Sequence, residues 1–241
     1  MNTVALARTY GTPGERARLA GLVYALWPLL AAFFLAGLVL GLLLPMPSIS
    51  VVGAGFALVT LALILSVTVM ICPFRVAAFF KGARGEERVA AVLSGLPAGY
   101  HVFHGLGGGG LLMSGRGDID HAVVGPTGVF VIETKCWQGI VTCRNGQVRL
   151  DGRLPRRDPV AQVRQSGRRV AEWLAAGLEH VPAIRPVVCF AGRGLADGQT
   201  TCDEVALCDA DDLPAMLTAP GPEVLTVDEV TRVAGLIDRL V

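Results

Sequence analysis

Two short segments carry the residues best suited to chemistry: Gly117-Asp118-Ile119-Asp120-His121 and Gly128-Val129-Phe130-Val131-Ile132-Glu133-Thr134-Lys135. Both read as strands, joined by the turn-forming set Gly125-Pro126-Thr127-Gly128. Side chains alternate across a strand, so Glu133 and Lys135 share a face opposite Ile132 and Thr134, and Asp118 shares a face with Asp120. Hairpin pairing would bring Asp120 beside Glu133. Carboxylates on a Val/Ile-rich strand are costly unless paired or bound to a cation. Two carboxylates and a lysine suit a divalent metal acting on a phosphodiester. Mg²⁺ takes oxygen ligands and keeps water and substrate phosphate in its shell, and a bound metal lowers the pKa of attacking water. Lys135 would orient that water or offset charge growing on the phosphate. An Asp/Glu–Lys salt-bridge cluster on an exposed sheet face is the competing reading, and the spacings alone do not separate the two.

The elements around these segments are legible. Gly85 to Leu96 reads as a helix with Val89, Val92, Leu93 and Leu96 at helical spacing, Tyr100 to His104 as a short strand, and Gly105 to Gly117 as a glycine-rich loop. Gly105-x-Gly107-x-x-Gly110 matches a dinucleotide fingerprint by letters, but a strand follows it and the βαβ context is missing. Ile140–Arg144 and Gln147–Leu150 flank Asn145-Gly146, a strong hairpin signal. Asp158-Pro159 opens a helix as N-cap and first residue, with Val160, Val163, Gly167, Val170 and Leu174 as its apolar stripe. Strands are expected at Pro186–Phe190 and Val205–Cys208, and a short helix at Asp211–Leu217. A capping box at Thr226-Val227-Asp228-Glu229 starts the last helix. This order predicts an α/β domain with a central mixed sheet.

Charge is segregated along the chain. Lys135 to Arg169 holds nine basic and two acidic residues, whereas Glu172 to Val241 holds four basic and twelve acidic ones. The first stretch suits a surface facing a polyanion. Arg153, Arg156 and Arg157 lie just before the Asp158 helix. On that helix Gln162 and Arg169 fall on one flank of the apolar stripe, and Arg164 and Arg168 on the other. These six arginines are the candidate phosphate contacts, which set position rather than sequence preference. Trp137 reads as a packed edge aromatic, and His121 should point away from the face of Asp120. The six cysteines show no CxxC pair or zinc-finger spacing, and most are expected to be small buried hydrophobes in a reducing compartment.

The remainder is apolar. No Asp, Glu, Lys, Arg or His occurs between Leu19 and Phe74. Within that block Leu19–Leu44 and Ile49–Cys72 are each longer than the roughly 20 residues a bilayer core requires. Pro45-Met46-Pro47-Ser48 between them predicts a turn, and hence a transmembrane helical hairpin. Arg8, Arg16 and Arg18 precede it, and Arg75, Lys81, Arg84 and Arg88 follow. Basic flanks remain cytoplasmic, so both termini are expected there in a two-span protein of the cell membrane. Gly37 and Gly41 form a small-xxx-small pair suited to packing against the second helix. The expected domains are an N-terminal segment (1–18), the hairpin (19–74) and a polar domain (75–241).

Gly82-x-x-Gly85-Glu86-x-x-Val89, Asp118-Ile119-Asp120-His121, Gly125-Pro126-x-Gly128-Val129-Phe130-Val131-Ile132-Glu133-x-Lys135 and Pro159-x-x-Gln162 together resemble the NERD (nuclease-related domain) family. The resemblance runs from about Gly82 to about Trp173, less than half the chain. It implies a restriction-endonuclease-like fold of the PD-(D/E)xK type, and membrane-attached members fit the hairpin. Residue by residue it implies Asp120 as the metal-binding aspartate, Glu133 and Lys135 as the E-x-K pair, and the Thr134 carbonyl as a further metal ligand. It also implies Glu86 as an additional acid and Gln162 as a supporting amide. Ser166 stands where some recombination nucleases have a tyrosine, so detailed transfer from those enzymes fails there.

The expectation is a membrane-anchored nuclease using Mg²⁺ or Mn²⁺ to hydrolyse nucleic acid, DNA in preference to RNA. Its other partners would be the lipid bilayer through residues 19–74 and a second copy of the chain. The alternative is a catalytically inactive nucleic-acid-binding or scaffolding module on the nuclease fold.

Overall fold

The computed structural model describes residues 6–43, 51–107, 118–192, 194–196, 198, 200–220 and 224–239. The Pro45–Ser48 turn and most of the glycine-rich loop, from Gly108 to Gly117, lie outside them. The chain forms two compact units: Met1–Arg16 with Gly82–Val241, and Ala17–Lys81.

The first unit is built on a seven-stranded mixed sheet. Its strands are β1 (Arg8–Tyr10), β2 (His101–Leu106), β3 (Ile119–Gly125), β4 (Gly128–Lys135), β7 (Ile184–Phe190), β8 (Thr200–Cys202) and β9 (Val205–Asp209). The order is β1-β2-β3-β4-β7-β9-β8. β5 (Val141–Arg144) and β6 (Gln147–Leu150) make a separate hairpin. Asn145 and Gly146 both have positive φ, 52° and 72°, as a tight two-residue turn of this kind requires.

β4 is the central strand. It runs antiparallel to β3, with Ala122 opposite Val131, and parallel to β7, with Val131 opposite Pro186. Its alternation divides the core in two. Val129 and Val131 join Val163, Val170 and Leu174 of α3 (Pro159–Ala175) on one face. Phe130 and Ile132 join Val89 and Leu93, near the end of α2 (Val51–Leu93), on the other. A one-residue slip would exchange these faces, so burial fixes the register. α4 (Leu213–Thr218) contributes Leu213 and Leu217 to the second face, and α5 (Val227–Asp238) contributes Val230, Val233 and Ile237 to the first.

Both expected caps are present. The Asp158 carboxylate accepts from Val160 N–H at 2.9 Å, and Thr226 and Glu229 form a reciprocal capping box. The stripe on α3 is buried as expected, with Ser166 added to it.

Three features depart from the sequence reading. β1 and β8 were not expected. β1 pairs in parallel with β2, so residues ahead of the apolar region complete the sheet. Cys143 and Cys202 form a disulfide across 59 residues, which overturns the picture of cysteines kept as reduced, buried thiols; Cys189 and Cys208 do fit it. β5 and β8 approach closely enough for the bridge because both border the same core face, a long-range proximity that Cys spacing cannot reveal.

The second unit is helical and apolar. α1 spans Glu15–Leu43 with Pro28 inside it. One stretch, Ala17–Leu38, is long and apolar enough among the described residues to cross a membrane, and only 18% of it is buried. Leu58–Val67 is apolar but shorter, so a second span is not met by the same measure. Among the described residues, a Cβ at Gly37 or Gly41 would meet nothing within 4 Å, so the expected small-residue contact is not seen there. Gly21 is the tight position instead. A Cβ there would lie 3.0 Å from Phe79, on which Tyr24 stacks with ring centroids 5.1 Å apart.

Candidate active site

β3 and β4 end together at the site. The last antiparallel pair on this side is His121 with Ile132, and Asp120 is one residue beyond it. There the Asp120 carboxylate, rather than a backbone carbonyl, accepts the Thr134 N–H at 2.7 Å. In an antiparallel ladder a residue offers its N–H and C=O to the same neighbour. The Thr134 carbonyl therefore also faces β3, past the end of the ladder. Lys135 uses the other side of β4, where its carbonyl accepts the Ala191 N–H at 2.9 Å.

Asp120 and Glu133 continue the faces of Ala122 and Val131, toward α3. Glu133 is 8% exposed, and its Oε1 accepts from Lys135 Nζ at 2.5 Å. Glu86 arrives from α2, where Gly85 allows close packing: a Cβ on Gly85 would lie 2.7 Å from the Cys136 Cβ. The Glu86 carboxylate accepts the Gly14 N–H at 3.1 Å. Burial pushes the Glu86 pKa up to about 7, against the Gly14 hydrogen bond, and the Glu133, Asp118 and Glu87 carboxylates add to the rise. Asp120 is held well above the usual carboxylate range, first by burial and then by Glu133 and Glu86. The Thr134 N–H and Lys135 oppose that rise. Glu86, Asp120 and Glu133 thus bear on one another, and Lys135 acts on the last two.

Among the described residues, no group of three or more His, Cys, Asp or Glu side chains is arranged to hold a metal ion. The donors expected from the sequence are fewer: the Asp120 and Glu133 carboxylates and the Thr134 carbonyl. Each carboxylate has one oxygen engaged by a protein donor.

Beside this cluster is a cleft of about 630 Å³ lined by Lys135, Trp137, Leu150, Pro155, Arg156, Arg157 and Gln162. Lys135 and Gln162 are thereby brought to the same space as two of the six arginines. Gln162 Oε1 is buried with no hydrogen-bond partner among the described residues. Arg153, Arg168 and Arg169 do not line the cleft, and Arg164 is committed elsewhere, donating to the carboxylate and carbonyl of Asp203. Trp137 is both the packed aromatic expected, tilted against Phe190 at 5.6 Å, and a wall of the cleft. His121 does point away from Asp120; its Nδ1 lies 2.8 Å from His104 Nδ1 in the opposite core.

Two participants escaped the sequence reading. Gly14 acts through its backbone, which no side-chain motif announces. Asp118, expected on a strand face, lies just ahead of β3, and its charge bears on Glu86.

An α/β unit with a mixed central sheet, carboxylates and a lysine at the end of its central strand, and a cationic cleft alongside fits a nuclease-like fold. Residues 81–191 match the family model of the nuclease-related domain, NERD. No curated protein and no solved structure matches the chain.

Proposed function

We propose that this protein is a membrane-anchored, metal-dependent nuclease that hydrolyses phosphodiester bonds in DNA. The observation that carries the reading is the crowding of carboxyl groups at the end of β4: Glu133 bears on both Glu86 and Asp120, and the Lys135 ammonium bonds to Glu133 and acts on Asp120. Carboxylates crowded in this way favour a bound cation, because burial and like charge both penalise their ionised forms. Two carboxylates and a carbonyl are hard oxygen donors, and Mg²⁺ needs few protein ligands when water and phosphate complete its shell. The residues therefore fit Mg²⁺ or Mn²⁺, with Asp120, Glu133 and the Thr134 carbonyl as holders. A bound divalent ion supplies polarisation of the phosphate and a more acidic water. Lys135, already fixed by Glu133, offsets charge on the phosphate, and Arg156 and Arg157 position the strand.

Chain order supports a two-span anchor. β1 and Gly14 precede α1, and the rest of their unit follows the apolar region. If α1 crosses the bilayer, the chain must cross back for that unit to assemble on one side. The second apolar segment is the proposed return span. The basic flanks support a position on the cytoplasmic side of the cell membrane.

The test uses the full chain in detergent with plasmid or single-stranded DNA and Mg²⁺ or Mn²⁺. Wild type should cut, chelation should stop it, and Glu133→Ala and Lys135→Ala should each abolish it. Equal cutting by all three proteins would remove the proposal. A second reading, a binding module without turnover, is favoured by the protein hydrogen bonds already made to Asp120 and Glu133. It predicts salt-dependent nucleic-acid binding with no metal-dependent cleavage.

A further inference from the structure

The cleft beside Lys135 has a chemistry that phosphate contacts alone do not require. Arg156, Arg157 and Lys135 are cationic, Trp137 is aromatic, Leu150 and Pro155 are apolar, and Gln162 brings an amide whose buried Oε1 has no hydrogen-bond partner among the described residues. A surface that only tracks a backbone needs charge and gains nothing from apolar walls or a desolvated amide. A nucleotide combines all the matching groups: a phosphate for the guanidinium groups, a flat ring for the indole, and a polar base edge for the amide.

Size sharpens the assignment. At about 630 Å³ the cleft falls in the range of small-ligand sites. That space suits one base with its sugar and phosphate. Trp137 can stack only on a base face that no neighbouring base covers. Trp137 also stands two residues beyond Lys135, so a base in the cleft lies next to the phosphate that Lys135 would meet.

We propose that this cleft is a subsite for a single unpaired nucleotide, with Trp137 stacking on its base, Gln162 meeting the base edge, and Arg156 and Arg157 holding its phosphate. The proposal rests on the nuclease reading for the position of the reacting phosphate. The subsite gives the protein a preference for single strands, tails and flaps over continuous duplex.

The experiment measures binding of the full chain in detergent, with EDTA present, to a fluorescent single-stranded oligonucleotide. Blunt duplex of the same sequence serves as competitor. Single strand should bind more tightly than duplex. Trp137→Ala should weaken single-strand binding by about tenfold or more, as loss of one stacked base does, and Trp137→Phe should retain most of it. Arg156→Ala should lower the salt dependence by about one released counterion. Equal affinity of wild type for single strand and duplex overturns the subsite, and that result needs no variant to fold. An unchanged single-strand affinity in folded Trp137→Ala overturns it equally. The two readings fail separately. Cleavage lost in Glu133→Ala without single-strand preference leaves a nuclease and no subsite. Preference without cleavage leaves the subsite and no nuclease.

Discussion

Glu86 places the acid–base balance of the site near neutrality. Its folded pKa, raised to about 7 from 4.5, means that its stability contribution is full below 4.5 and lost as pH rises through about 7. Over the same window its ionised form, the one that attracts a cation, becomes populated. Metal-dependent cleavage should therefore climb as pH passes 7, while Glu86→Gln should cut poorly, melt higher at pH 8 than wild type, and lose that rise. A pH–rate profile and parallel melts check this, and a flat wild-type profile would count against it. His104 and His121 behave in the opposite sense. Burial lowers their pKa values to about 4 and about 3, so the folded state resists protonation that the unfolded chain accepts. Their contribution is intact above 6.5 and declines toward pH 4, by about 3 kcal/mol for His104 at roughly 1.4 kcal/mol per unit. Melts between pH 7 and 4 should show this loss, and replacing both histidines by leucine should flatten it. At this scale Glu133 and Lys135 were legible as neighbours because the two-residue period of a strand assigns them to one face, and Asp120 because a hairpin brings its strand beside theirs. Gly14 was not, since a backbone N–H acting 72 residues away leaves no mark in side-chain pattern.

Among the elements, those declared by local chemistry were readable. Asp158, Thr226 and Asn145-Gly146 each set a backbone geometry within four residues of themselves. β1 and β8, at three residues each, carry too short a pattern to reveal themselves and exist because neighbouring strands offer an edge. The β5–β6 hairpin combines both situations: its turn is local, but its attachment is not. Val141 and Val148 bury it, the Val141 N–H donates to the Gly194 carbonyl, and Cys143 ties it to β8. Closing a 59-residue separation contributes at most about 4 kcal/mol by chain entropy. Reductant should therefore lower the melting temperature of wild type and leave Cys143→Ser, already lowered, unchanged. Identical melts of oxidised and reduced wild type would remove the bridge as a stabilising element. On the proposed cytoplasmic side, such a bridge would open and close with the redox state of the compartment.

For the whole molecule, the segment ahead of α1 is part of the proposed nuclease unit. Tyr10 stacks on Phe103 at 4.7 Å, Arg8 pairs with His101, and Gly14 supports Glu86. A fragment starting at Gly82 loses all three. It should melt below a version in which Met1–Arg16 is joined to Gly82 by a short Gly/Ser linker, and calorimetry of the pair decides. Reporters fused to the two ends of the full chain should lie on the same side of the membrane. Opposite sides would be incompatible with β1 in the sheet. β1 also leaves the ribosome about ninety residues before the strand it pairs with, Tyr10 and His101 being 91 apart. α1 and the apolar part of α2 are made in between, so β1 stays without its partner strand until the residues from His101 onward are made. On the proposed two-span topology the pairing of β1 would follow insertion of those helices, and a chain stalled at the bilayer would hold Glu86 without its amide partner.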